Sequence, residues 1–166
     1  MKMRKWVVPA ITGMMLTVVL AGDTVDFTGT WILNESKLEE TGDGPRMVPE
    51  KVVIKQEEKS ITTDKYMYNE MMGEFTISVT VTLDGKECVA EEEFGTRKST
   101  ATWSEDKKAL TIHSTLLMNW NGQDTEIATT EVLSLEEDGS LKSHVTSEGP
   151  MGVMDHVNYF KKSEKQ

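Results

Sequence analysis

Residues 75–83 read FTISVTVTL, in which Phe75, Ile77, Val79, Val81 and Leu83 alternate strictly with Thr76, Ser78, Thr80 and Thr82. A period of two fits no helix. It sends the two sets to opposite sides of an extended chain and predicts a strand with one apolar and one wet face. Asp84-Gly85 follows at once. Such a pair, flanked by alternating segments, signals a tight hairpin, and residues 87–93 are the predicted return strand.

The same design recurs downstream. Leu110, Ile112, Leu116, Met118 and Trp120 share one parity, with Ser114 as the polar exception, and Thr111, His113, Thr115 and Asn119 occupy the other. Asn121-Gly122 is the next turn signal, residues 126–135 continue as a strand, Asp138-Gly139 turns the chain, and 141–145 and 153–160 close the series. Residues 28–33, 51–56, 60–68 and 96–103 read as further strands, and 35–40 is the one candidate for a short helix. Consecutive strands joined by short turns form an antiparallel meander, and closing a meander removes its exposed edges. The predicted fold is all-β: an up-and-down meander of about 8–10 strands closed into a barrel.

Ahead of the strands, Lys2, Arg4 and Lys5 precede an apolar run from Trp6 to Gly22 broken by Pro9, Thr12, Gly13 and Thr17. This is the layout of a secretory signal, with cleavage expected after Ala21. The rival reading is an uncleaved membrane anchor, which normally needs about 20 apolar residues, and because this run is short and carries a proline, removal is the expectation. Leu20-Ala21-Gly22 approaches a lipoprotein signal, but Asp23 carries no thiol to acylate. The expected organisation is a signal peptide over 1–21 and one domain over 22–166, secreted or periplasmic and without stable membrane insertion once the signal is gone.

Removing that segment takes three positive charges from a formal net charge of −10 and leaves −13. So acidic a surface repels phosphate backbones and argues against nucleic acid as a partner. Cys88 is the only cysteine, so no internal disulfide forms and stability must come from the core. No acidic or basic neighbour pattern activates its thiol. His113, His144 and His156 lack metal-ligand spacing, and no nucleophile elbow, phosphate-cradling loop or paired acid and base stands out, so neither a cofactor nor an enzymatic role is expected.

Gly29-Thr30-Trp31, inside DFTGTWIL at the start of the first predicted strand, resembles the Gly-x-Trp motif that opens the lipocalins and fatty-acid-binding proteins. The longer stretches DFTGTWILNESK, ATWSEDKKALTI and EVLSLEEDGSL are also similar to lipocalin-like domains of secreted bacterial proteins. The resemblance implies an up-and-down barrel whose tryptophan closes one end. It departs from those families near the C-terminus, where Val157-Asn158-Tyr159 stands in place of a carboxylate-gripping Arg-x-Tyr, and no arginine follows Arg97.

Inward-facing candidates to line a ligand site are Trp31, Phe75, Ile77, Val79, Trp103, Ile112, Met118, Trp120 and Tyr159, with Leu33, Leu83, Leu133 and Leu135 on the same expected face. An eight-stranded barrel is wide enough to be filled by side chains or to hold one small ligand. The function expected first is binding of a small, mostly apolar, uncharged ligand, oriented by Tyr159 or a threonine hydroxyl. The alternative is a filled, non-catalytic envelope module that contacts a protein partner through residues 40–49, which carry Gly42, Gly44, Pro45, Met47, Val48 and Pro49. Met71-Met72 and Met151-x-x-Met154 read as flexible packing at the barrel mouth rather than as copper ligands.

Overall fold

The computed structural model describes residues 24–37, 48–70, 73–120, 122–150 and 152–164. Within them the alternating segments form ten strands: β1 Gly29–Leu33, β2 Lys51–Gln56, β3 Ser60–Asn69, β4 Gly73–Thr82, β5 Cys88–Glu92, β6 Gly95–Trp103, β7 Ala109–Trp120, β8 Gln123–Leu135, β9 Leu141–Gly149 and β10 Gly152–Lys162. All belong to one antiparallel sheet in the order β4-β3-β2-β1-β10-β9-β8-β7-β6-β5. The first strand pairs with the last, and β4 comes round to lie against β5 and β6, so the sheet is a nearly closed barrel. This is the predicted fold class, and it is compatible with a lipocalin-like barrel. No helix among the described residues is long and apolar enough to cross a membrane.

The Asp84-Gly85 turn corrects one expectation. Its return strand exists, but β5 pairs with β6 and not with β4. The Leu83 N–H is drawn away to the Lys59 carbonyl at 2.9 Å. The Asp84 carboxylate meanwhile accepts from the Thr82 hydroxyl at 2.7 Å and the Lys86 N–H at 3.2 Å. These bonds open the connection into a local Asx turn, wider than a two-residue hairpin. The strands it joins become the two margins of the sheet, and the Thr82 N–H reaches across the seam to Cys88 Sγ at 3.3 Å.

Up-and-down connectivity gives the barrel two distinct ends. One holds the stretch before β1 and the turns β2–β3, β4–β5, β6–β7 and β8–β9, and the other holds the turns β3–β4, β5–β6, β7–β8 and β9–β10. The first end is plugged by aromatic rings. Trp31 is buried, its indole N–H donates to the Phe27 carbonyl at 2.9 Å, and Phe27 stacks on Trp103 with centroids 5.9 Å apart. A buried indole needs such an acceptor for its N–H. The Gln56 side chain fastens the leading segment, accepting from the Phe27 N–H at 3.1 Å and donating to the Val25 carbonyl at 2.9 Å.

Lys162 Nζ lies 5.3 Å from the Trp31 ring centroid, so a lysine supplies the cation over the tryptophan. Its stem runs so close to Gly29 that a Cβ there would sit 2.7 Å from Lys162 Cε, at a φ of +152°. Glycine in Gly-x-Trp therefore makes room for the lysine on its way to the ring. Trp31→Ala is expected to cost about 3–5 kcal/mol in chemical denaturation. Lys162→Ala, which loses only a partly solvated cation over a ring, should cost about 1 kcal/mol.

The predicted helix is a single 3-10 turn, Glu35–Lys37, and residues 38–40 of that expectation lie outside the described residues. Lys37 Nζ bonds Asp138 Oδ2 at 2.8 Å in the β8–β9 turn. This ammonium, with the Ser140 hydroxyl and N–H, holds the Asp138 carboxyl far below the usual carboxylate range. A depressed folded-state pKa gives stability that is present above the unfolded value of about 3.9 and lost as pH falls through the folded one. The stability difference between the parent and Asp138→Asn should thus stay constant down to about pH 5 and shrink below about pH 4. Denaturation midpoints across that range check it.

Candidate functional site

Each long strand turns one parity inward, and on β4, β7 and β8 that row grades from buried to half-buried, whereas on β3 and β9 Met67 and Ser147 are buried beyond the half-buried Lys65 and Val145. On β7, Leu110, Ile112 and Ser114 are buried, while Leu116 and Met118 are half-buried. On β4, Val81 and Val79 are buried, while Ile77 and Phe75 are half-buried. On β8, Leu133 and Glu131 are buried, whereas Thr129, Ile127 and Thr125 are half-buried. On these three strands the more accessible residues are those farthest from the Trp31 plug. The plugged end is fully buried, and at the opposite end, the mouth, the inward side chains of these three strands are more accessible.

A polar level lies between plug and mouth. Ser99, Ser114, Thr129 and Ser147 are direct cross-strand neighbours on β6 to β9. The hydroxyls of Ser99 and Ser114 are 2.8 Å apart, and those of Thr129 and Ser147 are 3.2 Å apart. Lys65 on β3 meets Glu131 on β8 at 2.5 Å, and the Ser143 hydroxyl donates to the other Glu131 oxygen at 2.7 Å. Four strands separate β3 from β8 in the sheet, so this ion pair crosses the lumen. With side chains only 17% and 7% exposed, it is shielded from water, and each charge depends on the other. At the mouth, Arg97 grips Glu92 through two bonds of 2.5 and 2.9 Å.

Two buried polar atoms, Thr63 Oγ1 and Asn158 Oδ1, make no hydrogen bond within the described protein. Both belong to inward-facing residues that are almost fully buried. Such atoms are costly unless a water or a bound molecule satisfies them. Near the mouth, a depression of about 430 Å³ lies between the start of β6 and the β7–β8 hairpin, lined in part by Gly95, Leu117, Met118 and Thr125. Gly95 is required there, since a Cβ would fall 2.0 Å from the Leu117 carbonyl oxygen.

The structure distributes the expected lining residues unevenly. Trp31, Val79 and Ile112 face inward and are buried in the core, and Trp103 packs half-buried against it. Phe75, Ile77 and Met118 also face inward, on the accessible half of the wall. The side chain of Trp120 lies outside the described structure. Tyr159 corrects the prediction: it points outward, with the ammonium groups of Lys37 and Lys142 at 5.2 and 5.9 Å from its ring centroid. Its neighbours Asn158 and Phe160 are the buried inward residues of β10, because Phe160 pairs with Leu141 in the core. Leu135, expected inward, is exposed at the strand end, and Leu83 lies half-buried in the turn after β4.

His113 and His144 lie on the outer face as their parity predicts, paired with Thr130 at 3.0 Å and with Asp155 at 2.7 Å. Residues 40–47 of the predicted contact loop lie outside the described residues, as do Met71, Met72 and Met151, while Pro49 is buried. Sequence reasoning missed the Lys65–Glu131 pair, the row of hydroxyls and Asn158. The alternation on β3 and β8 carried a signal for the pair, because both charged residues interrupt an inward parity.

Comparison of the chain with the profiles of known protein families, with curated proteins and with solved structures yielded no match.

Removing one member of a shielded ion pair leaves the other charge uncompensated, which costs about 3–5 kcal/mol, whereas replacing both by apolar residues is often neutral. Glu131→Leu should therefore destabilise strongly, and Lys65→Met combined with Glu131→Leu should recover most of the loss. Urea unfolding of the four proteins in the cycle checks this.

Proposed function

We propose that the protein is a lipocalin-like binder of a small, mostly apolar, uncharged molecule, held in the open half of the barrel. The observation that carries this reading is the burial gradient along the inward rows of β4, β7 and β8, which leaves Phe75, Ile77, Leu116 and Ile127 half-buried above a polar level. A concave apolar lining with a few polar groups at its base is the usual form of a small-molecule site. The charge state of the ligand follows from the inward cations. Lys65 and Arg97 are already neutralised by Glu131 and Glu92, so a ligand carboxylate entering the lumen has to break an existing pair to find a partner. A neutral molecule avoids that cost, and a hydroxyl of the polar level, such as that of Thr129, rather than the outward-facing Tyr159, is the group proposed to orient it.

The compartment belongs to the same proposal: a chain exported by residues 1–21, cleaved after Ala21 and released because Asp23 offers no lipidation site. Native mass spectrometry of the protein from its own host should show a bound neutral mass, and Trp fluorescence should change on titration with neutral lipids or sterols. Phe75→Glu should abolish that change while far-ultraviolet circular dichroism stays the same. A clean unliganded mass together with flat fluorescence across the panel overturns the reading.

One observation favours the alternative of a filled, non-catalytic barrel acting as an envelope interaction module. The Lys65–Glu131 pair crosses the lumen and occupies space a ligand would use. In that case the paired apolar replacement of both residues leaves every titration flat, whereas a binding barrel responds with altered affinity.

A further inference from the structure

The hairpin turns at the two ends of the barrel differ in chemistry. Those at the plugged end read EEK at 57–59, DGKE at 84–87, SEDKK at 104–108 and EEDG at 136–139, each charged and largely exposed. Exposed large apolar side chains gather instead at the open end. Tyr68 lies one residue before the end of β3, Phe94 in the β5–β6 turn, Leu117 near the end of β7, and Val153 and Met154 at the start of β10. Phe94 and Val153 are 61% and 67% exposed, so they contribute nothing to the core. Away from that end Ile32, Tyr66, Val89 and Leu135 are exposed singly, each on a different strand. Apolar side chains gathered on one end of a soluble surface mark an interaction site.

We propose that the open end is a lipid-docking rim that rests on a zwitterionic bilayer surface, with Tyr68, Phe94, Leu117, Val153 and Met154 as its contacts. The argument for this occupant is charge complementarity. Glu93, Asp124, Glu126 and Glu148 stand exposed among the apolar contacts, and Arg97 at this end is committed to Glu92. An acidic collar around apolar tips matches a surface whose outermost groups are ammonium ions above an apolar interior, as in phosphatidylcholine and phosphatidylethanolamine. It is repelled by an anionic leaflet. It also opposes a second copy, because a rim-to-rim dimer brings two acidic collars together. The contacts come from four separate hairpins around an opening. A deformable interface accepts such points without shape complementarity, and aromatic side chains favour the headgroup level. Met154 shares the inward parity of β10 and stands at the opening itself, whereas Tyr68, Phe94, Leu117 and Val153 are outward or turn side chains, so the rim holds whether the lumen is hollow or filled. If the lumen binds a neutral apolar ligand, docking brings its mouth against the phase in which that ligand dissolves.

Local fluorescence tests the rim independently of any ligand. Phe94→Trp in the full chain, mixed with phosphatidylcholine vesicles carrying brominated acyl chains, should show a blue-shifted and quenched additional emission relative to the parent protein. Leu135→Trp, at the opposite end, should show neither. Replacing part of the lipid with phosphatidylglycerol should weaken the quenching. Adding Val153→Asp and Leu117→Asp to Phe94→Trp should lower partitioning about tenfold or more, since each removes an apolar contact and adds a charge, with the thermal midpoint unchanged. The proposal is overturned if the added emission of Phe94→Trp is unaffected by vesicles, if Leu135→Trp is the variant that is quenched, or if anionic vesicles quench as well as zwitterionic ones. It is equally overturned if the rim substitutions leave partitioning intact. A concentration-dependent dimer mass that appears without vesicles and vanishes in the rim variants assigns the face to a second copy instead.

Discussion

The Trp31 indole is the constraint around which the barrel is arranged. Buried at one end, it needs an acceptor for its N–H, and the Phe27 carbonyl supplies one. Phe27 must then lie across the base, where it stacks on Trp103 from β6 and is fastened to Gln56 at the end of β2. Segments from distant parts of the chain are thereby fixed to one plug, and Lys162 covers it by passing over Gly29. A barrel plugged at one end buries the inward side chains nearest the plug and leaves those farthest from it accessible. The burial gradient, the mouth and the difference between the two rims all follow from that asymmetry.

Charge divides between outside and inside. The outer surface, the turns at the plugged end and the open rim carry the acidic excess, while the inward cations Lys65 and Arg97 are each matched by a carboxylate. Inside a low-dielectric lumen an unmatched charge is expensive, so the interior is close to electrically neutral even though the protein is strongly acidic. The row of serines and threonines across β6 to β9 satisfies itself in pairs. Asn158 and Thr63 do not, and they are the polar atoms with capacity left for a water or a ligand.

Much of the fold was legible in the sequence because half-buried strands write their geometry into period two. The alternation over 75–83 located β4 and its inward face, and Gly29-Thr30-Trp31 located the closed end. The failures have physical causes. On β10 the odd set, Val153, Val157 and Tyr159, looks more apolar than the even set, so composition favours the wrong face. Pairing decides the matter: Phe160 opposite Leu141 commits the even residues to the interior, and a shift of one residue reverses every side chain on a strand. Asp84-Gly85 misleads for a related reason. Its turn is local and correct, but whether two strands pair depends on where the whole sheet closes. The cation over Trp31 comes from Lys162, more than a hundred residues away, which no local pattern marks.

By itself the sequence determined what is local and repetitive: extended segments, their turns, the tryptophan that closes an end, the acidic balance and the absence of any disulfide. These follow from side-chain periodicity and residue chemistry, which act over a few neighbouring residues. Only the tertiary structure decided where the sheet has its seam, which face of β10 turns inward, that Lys65 meets Glu131 across the lumen, and that the exposed apolar side chains surround the open end. Each joins residues remote in sequence, and such contacts exist only once ten strands have fixed their register around a common axis.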